Sequence, residues 1–174
     1  METFKTVLIT GGNGNLGRLV AQQMYSKGID VLCLDLPGTE HKNENNYKNI
    51  FLGDISDLDL LNNILKKHRP QAIFHLASLL SGSSETDLER AWNTNATASI
   101  NLMQAAVDCD VNLFFYPSTI ATYGSNTKDP LPEDFMQWPE NMYGVTKVAV
   151  ERFGSYLKKT CGFDFRCLRF PMVL

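Results

Sequence analysis

Thr6-Val7-Leu8-Ile9-Thr10-Gly11-Gly12-Asn13-Gly14-Asn15-Leu16-Gly17 reads as a short β-strand that runs straight into a glycine-rich turn and out into a helix. Each glycine has a separate task. Gly11 permits the sharp turn out of the strand, Gly14 lets backbone approach a pyrophosphate, and Gly17 lets the helix pack closely on the sheet. The new helix then offers unpaired N–H groups and the positive end of its dipole to an anion. Glycine-rich turns occur for many reasons, and the position between first strand and first helix is what points to a nucleotide. Gly11, Asn13, Gly14, Asn15, Leu16 and Gly17 are the candidate contacts of this stretch.

Outward from that turn, apolar β-rich segments alternate with helical periods. The strand candidates are 6–10, 29–34, 50–52, 72–76, 113–116 and 163–170. Leu16, Leu19, Val20 and Met24 line one helical face that ends at Gly28, and Leu60, Leu61, Ile64 and Leu65 line another that ends before Pro70. Two longer helices are predicted from about Asp87 to Val107 and from about Asn141 to Thr160, where Gly162 supplies a stop. Helix-length crossovers bring successive strands into parallel register. The predicted fold is an α/β three-layer, doubly wound parallel sheet forming one domain over residues 1–174. The long irregular stretch 124–140, with Pro130, Pro132 and Pro139, is either a substrate-side loop or a proline-stiffened connection.

The 174 residues are 44% hydrophobic and 20% charged, the ordinary range for a globular domain with one substantial core. Sixteen Lys and Arg against nineteen Asp and Glu give a net charge of −3, with no basic stripe, which argues against a nucleic-acid partner. No apolar run reaches the ~20 residues of a membrane span, and the N-terminus lacks a signal-peptide pattern, so a cytoplasmic protein is expected. Cys33, Cys109, Cys161 and Cys167 show no metal-knuckle spacing and read as reduced, mostly buried thiols, and no metal site is expected. Trp92, Trp138 and the methionines read as packing residues.

The second strand candidate leads into Asp35-Leu36, roughly the ~20 residues beyond the glycine loop at which a carboxylate holds an adenosine ribose. Such a carboxylate accepts from both ribose hydroxyls and repels a 2′-phosphate, which favours NAD over NADP. The alternative is an ordinary strand-end aspartate. Asp54-Ile55 follows the third strand, where Asp54 either accepts from an adenine amino group or, like Ser56 or Asp57, caps the next helix. Tyr143 and Lys147 stand four apart at the start of a helix and project from one face. A tyrosine with its ordinary pKa of ~10 serves as a base near neutrality only beside positive charge, which Lys147 supplies. Ser118, Thr119 and Thr122 put hydroxyls at the carboxyl end of a strand, where doubly wound sheets bind ligands. Asn95 is a poor residue for mid-helix; it bridges neighbouring groups, holds a water, or is merely solvated. His75 reads as a satisfied core histidine.

In this order the motifs resemble the extended short-chain dehydrogenase/reductase family over essentially the whole chain. Thr10 to Gly17 is similar to its Thr-Gly-x-x-Gly-x-x-Gly, Asp54-Ile55 to its adenine contact, and His75-Leu76-Ala77-Ser78 to the segment that passes the cofactor. The resemblance implies a Rossmann fold with NAD as cofactor and Leu36, Leu76, Ala77, Ser78 and Asn95 near it. It also implies a catalytic Thr119 aligned ahead of Ser118, Tyr143 and Lys147 as the catalytic pair, and Pro171 against the nicotinamide amide. The segments 75–82, 117–121, 143–147 and 163–171 are most similar to the family's threonine-dehydrogenase branch. That implies oxidation of a secondary alcohol, with L-threonine as the specific guess and residues 79–85 as a substrate loop. The alternatives are a sugar-nucleotide epimerase or dehydratase, and a non-catalytic NAD-binding module or fragment. The substrate is thus a small molecule, an amino acid or a nucleotide sugar. A homodimer through the two long helices is implied, and a C-terminal substrate lobe is expected to be absent from these 174 residues.

Overall fold

A computed structural model of the chain describes residues 4–39, 46–125, 127–128, 130–132 and 135–171. Its centre is a six-stranded parallel sheet in the order β3-β2-β1-β4-β5-β6. The strands are β1 (Thr6–Thr10), β2 (Asp30–Asp35), β3 (Asn49–Leu52), β4 (Ala72–His75), β5 (Leu113–Thr119) and β6 (Phe165–Phe170). The helices are α1 (Asn15–Ser26), α2 (Leu58–His68), α3 (Ser81–Thr86), α4 (Leu88–Ala91), α5 (Ala98–Asp108) and α6 (Met142–Cys161). Register places Thr10 beside both Leu34 and His75, and Thr119 beside Phe170, so the strands' carboxyl ends share one rim. Strand order reverses direction between β1 and β4, which opens the crevice where such sheets bind ligands.

Alternation along the strands divides the core into two layers. Leu8, Leu32, Ile73 and Phe114 meet Leu61 and Leu65 of α2, Leu102 and Met103 of α5, and Val150 of α6. Val7, Ile9, Val31 and Ala72 face the other way, against Ala21, Val20 and Met24 of α1. This is the predicted three-layer architecture.

Several local expectations change. The helix predicted over about 87–107 runs without interruption from Leu88 to Asp108, but with a π-helical turn at Trp92–Thr97 between α4, which ends at Ala91, and α5, which begins at Ala98. The extra residue of a π turn is tolerated here because the Asn95 amide bonds to the neighbouring segment rather than to solvent, so Asn95 is buried. Residues 79–85, read as a loop, hold most of α3, which runs to Thr86. The sixth strand begins at Phe165 rather than Phe163, because the Phe165 N–H closes a turn onto the Phe163 carbonyl. Trp138 is 76% exposed and Trp92 41%, so neither is a core packing residue. Cys33 alone among the cysteines is buried and Cys161 is exposed.

Candidate active site

The glycine loop is built as a backbone cradle. Gly11 leaves β1 with φ +69°, its N–H donating to the Leu34 carbonyl at 2.8 Å. A Cβ there would lie 2.7 Å from the Ala77 nitrogen, so only glycine lets the turn nest against Leu76 and Ala77. Those two residues run alongside the end of β1, the Leu76 N–H donating to the Thr10 carbonyl at 3.0 Å and the Ala77 N–H to Thr10 Oγ1 at 3.4 Å. Gly14 is the N-cap of α1 and no side chain caps the helix, which leaves first-turn N–H groups without a side-chain acceptor. Gly14 and Asn15 are exposed at the rim, Leu16 is half-buried, and Gly17 is buried beneath.

Asp35 closes one side of the cradle. Its Oδ2 accepts from the Asn13 N–H and its Oδ1 from the Leu36 N–H, both at 2.8 Å. Asn13 is buried, and its side-chain amide donates to Thr39 Oγ1 at 3.2 Å. Burial and the Asp35 charge push the Cys33 thiol up to about 12, so this cysteine is a neutral packing group under the loop. Asp54 is exposed and accepts from the Ser56 N–H and hydroxyl, while Asp57 takes the capping position of α2 by accepting from the Leu60 N–H. Ile55 is buried beside it. Uncapped helix, glycine turn and ribose-side carboxylate together fit a dinucleotide.

At the far side of the crevice stand Tyr143 and Lys147, in the first two turns of α6. Lys147 is fully buried; its ammonium donates to the Pro117 carbonyl at 3.0 Å, 5.3 Å from the Tyr143 ring centroid and 4.4 Å from that of Tyr116. Burial drives its pKa down to about 7, against the opposing pull of the Glu151 carboxylate. Burial also raises the Tyr143 phenol above its ordinary value, which the nearby Ser78 hydroxyl opposes. Thr119 ends β5 half-buried, its Oγ1 accepting from the Ala121 N–H at 3.2 Å. Ser118 points the other way along the strand and donates to Glu151 in the interior. Of the two hydroxyls, Thr119 is the one left at the rim. Pro171 follows β6, exposed at the same end.

Between cradle and pair lies a polar seam. Asn95 accepts from the Leu79 N–H at 2.7 Å and the Ser78 hydroxyl at 3.2 Å, and donates to the Leu79 carbonyl at 3.0 Å. It is thus a bridge, and what it clamps is the segment following β4. His75 is bonded at both ring nitrogens, to Thr10 Oγ1 at 2.6 Å and Ser99 Oγ at 2.7 Å. Burial, and then the Lys147 charge, lower its pKa to about 3, so it is a neutral core histidine as expected.

Sequence reasoning missed the group behind Lys147. Glu151 is 3% exposed and receives Ser118, Gln137 at 2.9 Å, and the guanidinium of Arg169 at 2.7–3.1 Å. Arg169 also donates to the Tyr123 hydroxyl at 2.5 Å. The four-residue spacing from Lys147 puts Glu151 on the inward stripe of α6 with Gly144, Val150 and Gly154, but the partners that give it meaning come from elsewhere in the chain.

A parallel sheet in this order, with a glycine cradle at the switch point and a strand-end carboxylate, defines a dinucleotide-binding Rossmann domain. Over residues 7–174 the sequence matches the profile of the NAD dependent epimerase/dehydratase family, and the chain belongs to that family. It is 34% identical over 167 residues to UDP-glucose 4-epimerase from Lactobacillus helveticus, covering 94% of this chain and 50% of that protein. It is also 34% identical to mitochondrial L-threonine 3-dehydrogenase from Sus scrofa, covering 97% of this chain and 45% of the relative. The structure superposes on UDP-glucose 4-epimerase from Brucella ovis in complex with NAD, with TM-score 0.87 and 27% identity, covering 95% of this chain and 51% of that one. The chain therefore spans about half the length of the curated relatives it matches. The family is one of NAD-dependent enzymes, and its cofactor is the one expected for the glycine loop. Among the described residues, no helix is long and apolar enough to cross a membrane.

Proposed function

We propose that these residues form the cofactor-binding half of an NAD-dependent oxidoreductase that oxidises a secondary alcohol, with L-threonine as the specific substrate. The observation that carries this reading is the buried Lys147 ammonium, 5.3 Å from the Tyr143 ring on the crevice side of the sheet. Bound NAD supplies a hydride acceptor. Gly11, Asn13, Gly14, Asn15, Leu16 and Gly17 hold its pyrophosphate, Asp35 and Leu36 the adenosine ribose, and Asp54 and Ile55 the adenine. Leu76, Ala77, Ser78 and Asn95 form the wall along the rest of the cofactor, and Pro171 lies against the carboxamide. Thr119 holds the substrate hydroxyl, and Tyr143 takes its proton onto the phenolate oxygen as the carbinol C–H bond gives up its electron pair, leaving a ketone. Lys147 stabilises that phenolate and orients the nicotinamide ribose. Residues 79–85 contact the substrate.

A second reading, a nucleotide-sugar epimerase, is supported by the 34% identity to UDP-glucose 4-epimerase, and it uses the same groups with the hydride returned to substrate. The chain's unpaired cysteines suit the reducing cytoplasm. A homodimer is proposed through α5 and α6, on whose side Trp92, Val145 and Tyr156 are exposed. The test is NAD binding by calorimetry, followed by NADH formation with L-threonine and by UDP-glucose interconversion. Tight NAD binding with NADH formation that drops at least ~10³-fold in Tyr143→Phe is the expected result. Interconversion without net NADH selects the epimerase. Binding with neither reaction leaves a binding module, and absence of NAD binding overturns the reading.

A further inference from the structure

The buried carboxylate of Glu151 has no task in the proton transfer just described, yet more side chains converge on it than on any other acceptor described in the sheet's interior. Arg169 of β6 grips both of its oxygens, Ser118 of β5 donates to Oε1, and Gln137 of the long irregular segment donates to Oε2. Arg169 is itself fixed by the Tyr123 hydroxyl and lies over the Tyr123 ring, 5.0 Å from its centroid. Glu151 and Lys147 are one helical turn apart on the inward stripe of α6, and both are almost completely buried. Consecutive residues of β5 engage the two: the Pro117 carbonyl accepts from Lys147, and the Ser118 hydroxyl donates to Glu151.

We propose that Glu151, locked in place by Arg169, is a positioning residue that favours the charged form of Lys147 beneath Tyr143. The inference rests on Tyr143 and Lys147 being the proton-transfer pair. A buried ammonium with one carbonyl acceptor and two aromatic faces has little to replace its hydration. Its neighbours oppose or support it unequally. Tyr143 on its own helix, Tyr116 on β5 and His75 on β4 are neutral near pH 7, whereas Glu151, one helical turn further along α6, is the ionised group of opposite sign that acts on it. Arg169 of β6 is the cation paired with that carboxylate, through bonds to both oxygens. Burial alone would raise the Glu151 carboxyl, but the bonds from Arg169, Ser118 and Gln137 more than offset it and hold the group below its ordinary value. The anion is therefore available throughout the neutral range. Arg169 holds Glu151 as an anion, and Glu151 partly offsets the burial that favours the neutral amine of Lys147.

The test is a 13C NMR titration of the Lys147 side chain in lysine-labelled protein, assigned with Lys147→Met and made without cofactor or substrate. The titration decides the point even where NAD fails to bind or nothing turns over, so its failure is distinct from failure of the functional reading. In Glu151→Gln the Lys147 midpoint is expected to fall by about one pH unit, the size of a Coulomb interaction across one helical turn in a protein interior. Glu151→Asp, which keeps the charge, is expected to restore part of that shift. Where Glu151→Gln fails to fold because Arg169 is left unpaired, Glu151→Gln combined with Arg169→Gln is titrated against Arg169→Gln alone, so that loss of the carboxylate is read with the Arg169 charge absent from both. An unchanged Lys147 midpoint in a folded variant lacking the carboxylate overturns the proposal and leaves the pair a purely structural tie.

Discussion

At Asp35, two backbone N–H groups, from Asn13 and Leu36, converge on one carboxylate and fix its orientation before any ligand arrives. Hydrogen bonds to a charged acceptor contribute about 1.5–3 kcal/mol each, so losing the charge is expected to weaken NAD binding by roughly tenfold to a hundredfold. The same loss removes repulsion toward a 2′-phosphate. Calorimetry of Asp35→Asn with both dinucleotides therefore has a two-part expectation: weaker NAD binding and a smaller preference for NAD over NADP. A preference that stays the same would take Asp35 out of the ribose site. The place of this residue, at the end of β2 beside the glycine loop, was legible in the sequence because it follows from distance along the chain. Glu151 was not, because its meaning depends on Arg169 and Gln137, which pairing and loop closure bring together from 18 and 14 residues away.

The elements show the same division between local and non-local causes. Strand β1, helix α1 and the turn between them are set by neighbours in sequence, and the alternation that predicts them is what the structure contains. The π turn within the helix predicted over 87–107 goes with a partner elsewhere: the Asn95 amide bonds to Leu79, 16 residues away. Helix α6 gives a direct test of how tightly an element is seated. Gly154 sits in its middle, where glycine costs about 1 kcal/mol relative to alanine. A Cβ there would come within 2.5 Å of three ring atoms of Phe165 on β6. Forcing such a contact in a packed core typically costs about 1–3 kcal/mol. Gly154→Ala is thus expected to lower stability by up to about 2 kcal/mol in urea unfolding, although the same change in an exposed helix stabilises. A stabilising result would mean that Phe165 has room to move and that β6 is loosely held.

Across the whole molecule, buried ionisable groups make stability depend on pH. His75 has its pKa lowered by burial to about 3, so between about pH 3 and its ordinary value of 6.5 the unfolded chain binds a proton that the folded chain refuses. Stability therefore rises with pH over that window, and acidification from pH 6.5 to 4 is expected to remove about 3 kcal/mol, a slope that His75→Gln should flatten. Glu151 adds to the loss at the acid end, since a carboxyl held below its ordinary value contributes stability that disappears as pH falls through its folded pKa. Lys147 acts at the other end. Its folded value of about 7 lies below the ordinary 10.5, so the penalty for burying the charged amine is present in full below pH 7 and fades as pH rises toward 10.5. That span corresponds to about 5 kcal/mol at 1.4 kcal/mol per pH unit. Lys147→Met fills the same space without a charge and leaves only the Pro117 carbonyl unsatisfied, a loss of about 1–3 kcal/mol. The variant is accordingly expected to be more stable than the native chain by a few kcal/mol at pH 7, and to lose most of that advantage by pH 10, in paired urea titrations. A variant no more stable at pH 7 than the native chain would mean that Glu151, Tyr116 and Tyr143 already solvate the ammonium as well as water does. A gain in stability with loss of turnover would mark Lys147 as a residue retained for chemistry against the preference of the fold.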